Sequence, residues 1–242
     1  MGRQGPTIVL VHGAWHDERC WLDVTAQLDI RGASWAVLTL PSTNPSSDLP
    51  GFGADIGAVI DLIDRLDGDV TLCGHSYGGM VVSEAGNHQR VTRLVYLAAA
   101  CPEPGVRLLD PAIGARRQFR SAIRHTGDGR MIVAPRAAAR LLYGDLEPEL
   151  AARKAMMMLP STASIVRARS TNPAWLRKPA TYVVCRRDRV ISFRRAHRTA
   201  NLVVRSQIGL GEPFNPAVTL DTSHCPFFSA PDQVAEILVG AR

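Results

Sequence analysis

The sequence predicts an α/β fold with a mainly parallel sheet, and three observations carry that prediction. Six short runs are apolar and β-branched without polar alternation, the pattern of strands covered on both faces. Helical periodicities lie between them. The alternation breaks once, over a stretch too long to be a simple connection.

Thr7-Ile8-Val9-Leu10-Val11 is the first strand, and His12-Gly13-Ala14 turns the chain after it. Residues 35–40 form a second run, followed by a loop rich in Pro, Ser and Asn over 41–50. Residues 54–66 place Ile56, Val59, Ile60 and Ile63 on one helical face. A third strand covers 69–73, a helix with a small-residue face 77–88, and a fourth strand 91–99. Ala180–Cys185 is the fifth strand, 196–201 sits in a helix, 217–220 is the sixth strand and 231–239 a terminal helix. Between Cys101 and Lys178 no buried strand is expected. That stretch holds a turn, Thr126-Gly127-Asp128-Gly129, and helical patterns at 135–143 and 147–159. Residues 102–178 therefore read as a cap over the carboxyl edge of the sheet, where α/β ligand sites occur. Residues 1–101 and 179–242 form the core.

Composition narrows the function classes. A chain of 242 residues buries roughly three quarters of its unfolded surface and needs no disulfide or metal to hold a core. Hydrophobic residues at 46% and charged residues at 21% are ordinary for a soluble globular protein. The net charge of +6 raises the question of nucleic acid. However, all basic residues except Lys154 and Lys178 are arginine, the bias of a GC-rich genome. They are dispersed, with no helix-turn-helix or zinc-finger spacing, so no nucleic-acid partner is expected. The five cysteines are odd in number and far apart without a CxxC pair, which suggests neither a zinc site nor a disulfide framework. Cys73 and Cys185 read as small buried hydrophobes. No apolar run reaches the ~18 residues that span a membrane, and residues 1–6 lack the features of a secretory signal. A cytoplasmic protein is expected, with a homodimer left open.

Gly74-His75-Ser76-Tyr77-Gly78, followed by Gly79, fits G-x-S-x-G directly after a strand and at the opening of a helix. Such a turn holds the serine in a strained conformation with its hydroxyl aimed out of the sheet. Glycines are required where a Cβ would strike the neighbouring backbone. A serine hydroxyl needs a base. His224, in a loop after the last strand, can reach the sheet edge, whereas His12 and His75 read as packing residues and His88 and His197 as ordinary helical ones. The base in turn needs an acid to fix its tautomer. Asp188 ends the fifth strand at the right edge, with Asp221 and Glu103 as rivals and an ion pair with neighbouring arginines as its alternative role. A tetrahedral oxyanion needs two backbone donors, for which Tyr77, after the serine, and Ala14, in the turn after the first strand, are the candidates.

With these residues in place, the sequence resembles the α/β-hydrolase superfamily. It is most similar to the branch of plant methylesterases, hydroxynitrile lyases and bacterial esterase relatives. The segments carrying the resemblance are Val9 to His16 with Trp21, Cys73 to Gly79, Leu94 to Ala99, Tyr182 to Ile191, and His224 to Phe228. It implies Ser76 as nucleophile, Asp188 as acid, His224 as base, and Ala14 and Tyr77 as oxyanion donors. It also implies a six-stranded sheet lacking the fold's first two strands. Lyases of this branch carry threonine where this chain has Gly13 and lysine where it has Cys225, so both departures point to hydrolysis.

The expected activity is cleavage of a small to medium carboxylic ester through an acyl-enzyme, without metal or organic cofactor. Lactone opening, C–C cleavage or cyclisation on the same triad is an alternative, as is a non-catalytic receptor. Epoxide and haloalkane hydrolases are disfavoured because they place aspartate at the Ser76 position. Trp15, Met156, Met157 and Leu159 are the candidate substrate-binding residues.

Overall fold

The computed structural model describes residues 5–44, 48–210 and 217–240. Residues 1–4, read above for a missing signal, and 45–47 of the polar loop lie outside the described residues. In chain order the elements are β1 (Thr7–Val11), α1 (Leu22–Ile30), β2 (Trp35–Val37), α2 (Phe52–Asp64), β3 (Val70–His75), α3 (Gly78–Ala85), β4 (Val91–Leu97), α4 (Arg117–Arg120), β5 (Ile123–His125), β6 (Arg130–Val133), α5 (Pro135–Leu142), α6 (Pro148–Met156), β7 (Ser161–Thr162), β8 (Ala180–Cys185), α7 (Phe193–Gly209), β9 (Val218–Leu220), α8 (Pro226–Ser229) and α9 (Pro231–Gly240).

Six strands form one parallel sheet in the order β2-β1-β3-β4-β8-β9. The order reverses between β1 and β3, so the crevice at their carboxyl ends is where such a sheet offers a ligand site. Every residue of β3 and β8 is buried, as two-sided coverage by helices requires.

Three expectations need correction. The second run stops at Val37 instead of continuing to residue 40, because β2 is an edge strand whose pairing with β1 ends at Leu10↔Val37. The Leu40 N–H leaves the ladder and donates to His12 Nε2 at 2.9 Å. The third helix ends at Ala85, with Gly86 as its cap, so His88 lies in the following turn and bonds Asp64. Lastly, residues 102–178 do contain a buried strand. β5, β6 and β7 form an antiparallel sheet, and three of the four β6 residues are buried. The predicted turn at 126–129 is the β5–β6 hairpin, closed by Thr126 N–H to the Arg130 carbonyl at 2.8 Å, with Gly129 at φ +82°. Strands of two to four residues are too short to show a period of two.

Candidate active site

The turn after β3 is built by close packing. A Cβ on Gly78 would lie 2.6 Å from the carbonyl oxygens of Val11 and His12, and one on Gly74 would lie 2.6 Å from the Gly78 carbonyl. Only glycine lets the helix start this close to two strand ends. The same crowding forces Ser76 to φ +50°, a conformation that non-glycine residues rarely adopt. Its carbonyl accepts the Ala100 N–H at 2.9 Å, which ties the turn to the end of β4.

Ser76 Oγ lies 2.9 Å from His224 Nε2, and His224 Nδ1 donates to Asp188 Oδ2 at 2.8 Å. The second carboxylate oxygen accepts the N–H groups of Val190 at 2.6 Å and Ile191 at 2.9 Å. Three donors therefore fix Asp188 as an acceptor, so the His224 proton sits on Nδ1 and the Nε2 lone pair faces Ser76. Both residues are buried. The rivals are elsewhere: Asp221 pairs with Arg187 on the surface, and Glu103 is exposed. Arg187 is thus taken by Asp221, and Asp188 does not serve as a partner for its arginine neighbours.

Three other imidazoles lie buried at this edge, and none of them bonds a carboxylate among the described residues. Burial lowers the His12 pKa to about 4 and that of His16 to about 3, and holds His75 well below its usual value. They are neutral spacers with defined bonds. His75 Nε2 donates to the His224 carbonyl at 2.9 Å, and His16 Nδ1 donates to the Ala14 carbonyl at 3.1 Å.

The Ala14 and Tyr77 N–H groups make no hydrogen bond to another group of the described chain. The Tyr77 ring is held from below, its hydroxyl donating to Asp55 Oδ2 at 2.6 Å, while Asp55 Oδ1 accepts the Ser42 N–H. Burial raises the Asp55 pKa, and these hydrogen bonds oppose the rise.

Ser76, Ala14 and Tyr77 open onto a pocket of about 460 Å³, including its mouth. The core supplies Trp15 and Ile191 to its wall, and the segment above supplies Ile113, Phe119, Ile123 and Met131. No charged side chain lines it among the described residues. Trp15 and Phe119 meet edge to face at 5.8 Å.

Of the candidate substrate-binding residues, only Trp15 is at this pocket. Met156 and Met157 are 72% and 54% exposed, and Leu159 lines a separate surface hollow with Met156. The reason is helical phase. α6 buries Ala151 and Ala155, four apart, which turns Met156 to solvent, and Met157 is the cap that follows the last helical residue. Phe119 and Met131 had no sequence signal, because their elements are too short for periodicity, and Ile113 lies in a turn outside any helix or strand.

A parallel sheet with a serine on a strained turn at its switch point, bonded in series to a histidine and an aspartate, is the architecture of α/β-hydrolases. The profile of the Alpha/beta hydrolase family matches residues 8–237, and the chain belongs to that family. It is 25% identical to the alpha/beta hydrolase nvfD of Aspergillus novofumigatus over 249 residues, covering 98% of this chain and 96% of that protein. It is 37% identical over 110 residues to a carbendazim hydrolyzing esterase of Nocardioides, covering 42% of this chain and 45% of the esterase. The structure of the Arabidopsis methylesterase MES16 superposes with a TM-score of 0.75 at 22% identity, covering 98% of both chains. At that identity the likeness concerns the fold. Among the described residues no helix is long and apolar enough to cross a membrane.

Proposed function

We propose that the protein is a serine hydrolase that cleaves small to medium, uncharged carboxylic esters through an acyl-enzyme on Ser76. The observation that carries this reading is the unbroken series Ser76–His224–Asp188 at one end of an apolar pocket, beside two unoccupied backbone donors. Ser76 Oγ attacks the ester carbonyl while His224 Nε2 takes its proton. Asp188 stabilises the resulting imidazolium, and the Ala14 and Tyr77 N–H groups receive the oxyanion. His224 returns the proton to the leaving alcohol. Water, deprotonated by the same imidazole, then releases the acid.

The esterase name of the Nocardioides relative supports ester chemistry. Two features favour hydrolysis over lyase chemistry. A Cβ at Gly13 would lie 2.8 Å from the Ser76 Cβ, so the threonine of the lyases does not fit without a shift. Cys225, after His224, is a buried thiol whose pKa burial raises, and it offers no cation.

A short p-nitrophenyl ester and a fluorophosphonate test the proposal together. Turnover lost in Ser76→Ala, with covalent labelling mapped to Ser76, is the expected result. Labelling at another serine with Ser76 unmodified would overturn it. Tight ligand binding with negligible turnover would favour a receptor.

A further inference from the structure

Both loops that complete the site are gripped by the segment lying above it. The residue before His224 is Ser223, whose N–H donates to Asp145 Oδ2 at 2.7 Å. Its hydroxyl lies against the Leu142 carbonyl at 2.8 Å and the other Asp145 oxygen. Leu142 ends α5, and Asp145 sits in the turn leading to α6. In the same turn the Tyr143 hydroxyl donates to His16 Nε2 at 2.8 Å, and His16 passes the connection to the Ala14 carbonyl.

The oxyanion turn has further ties. Trp15, next to Ala14, stands at φ +65°. A bulky residue persists there only when its surroundings over-determine it. Its N–H donates to Ser161 Oγ at 2.7 Å, its carbonyl accepts the Leu159 N–H at 2.9 Å, and its indole N–H donates to the Met131 carbonyl at 3.0 Å. All three partners belong to residues 102–178. Ser161 is completely buried, and this is the only hydrogen bond its side chain makes among the described residues.

We infer that the segment between β4 and β8 is a clamp on the catalytic machinery: Asp145 is a positioning residue for His224, and Ser161 and Tyr143 are positioning residues for the Ala14 oxyanion donor. The inference rests on the proposed hydrolase reading. None of the three residues lines the pocket at Ser76, so none of them touches a substrate held there. A displacement of the base or of the donor by about 1 Å is enough to cost about a hundredfold in rate.

The test is a set of single variants, Asp145→Asn, Asp145→Ala, Ser161→Ala and Tyr143→Phe, in the full chain. For each, kcat and KM on a short p-nitrophenyl ester, the rate constant for fluorophosphonate labelling and Tm are measured. A tenfold to hundredfold loss in kcat is expected, with KM within about twofold and labelling slowed in parallel. Asp145→Asn should fall between wild type and Asp145→Ala, because the amide keeps one acceptor. Asp221→Asn, on the same loop but paired only at the surface, is the control and should keep wild-type kcat. A variant that lowers Tm without slowing kcat or labelling, or raises KM alone, would overturn the positioning role. If wild type neither turns over ester nor labels, it is the hydrolase reading that fails.

Discussion

The parallel sheet and the segment above it reach Ser76 from opposite sides and rest on different physics. The sheet delivers Ser76 through backbone crowding. Gly74 and Gly78 allow the α3 start to press against β1, and that contact sets the Ser76 strain. The segment above delivers apolar walls from short irregular pieces and touches the machinery through a few side-chain hydrogen bonds. On the proposed hydrolase reading, the reacting groups come from the sheet and its loops, and the pocket walls come mainly from the segment above. Changes in the sheet should act on kcat or folding, and changes in the apolar walls on KM.

The largest effects should come from the sheet side. Ser76→Ala should remove turnover by about six orders of magnitude while leaving the fold intact. Asp188→Asn should cost roughly 10⁴ in kcat, because the amide permits the wrong imidazole tautomer. Steady-state kinetics check both, and near-normal kcat in Asp188→Asn would move the acid elsewhere. Gly78→Ala probes the crowding itself. Overpacking against two carbonyls should cost about 1–3 kcal/mol in a denaturant melt, and an unchanged midpoint would remove crowding as the source of the strain.

A smaller effect concerns pH. Unfolded imidazoles take up protons near pH 6.5, whereas folded His12 and His16 resist to about 4 and 3. Between those values the unfolded chain binds more protons. Stability is therefore full above about pH 6.5 and falls as the pH drops, by about 1 kcal/mol per pH unit for each histidine. Denaturant melts at pH 7 and 5 should register the loss, and His16→Gln should reduce its slope. Parallel melts for wild type and variant would contradict a buried neutral His16.

Changes in the apolar walls come next. Phe119→Ala enlarges the pocket beside Trp15 and should raise KM for a bulky apolar ester about tenfold, with kcat changed less. The smallest effect belongs to Met156→Ser and Met157→Ser, which should leave kinetics unchanged and stability within about 0.5 kcal/mol. A KM rise in either would return them to the substrate path.

The sequence by itself determined the parallel sheet and the serine turn. A strand covered on both faces needs an unbroken apolar run, so β8 is visible residue by residue and β3 over Val70 to Cys73. A strained turn between strand and helix needs glycines at set spacing, so Gly74-His75-Ser76-Tyr77-Gly78 announces itself. The helix α1 was not legible, since Leu22 and Ile30 are exposed while Val24 and Leu28 are buried, which blurs its periodicity. Only the tertiary structure decided the rest. Asp188, Asp221 and Glu103 are the same chemistry at strand ends, and the choice among them came from burial and the His224 bond. The pocket walls, the β5–β6–β7 sheet and the grip of Asp145 and Ser161 join residues distant in the chain. A hydrogen bond between positions 15 and 161 leaves no trace in local spacing, because neither residue's neighbours must change for it to form.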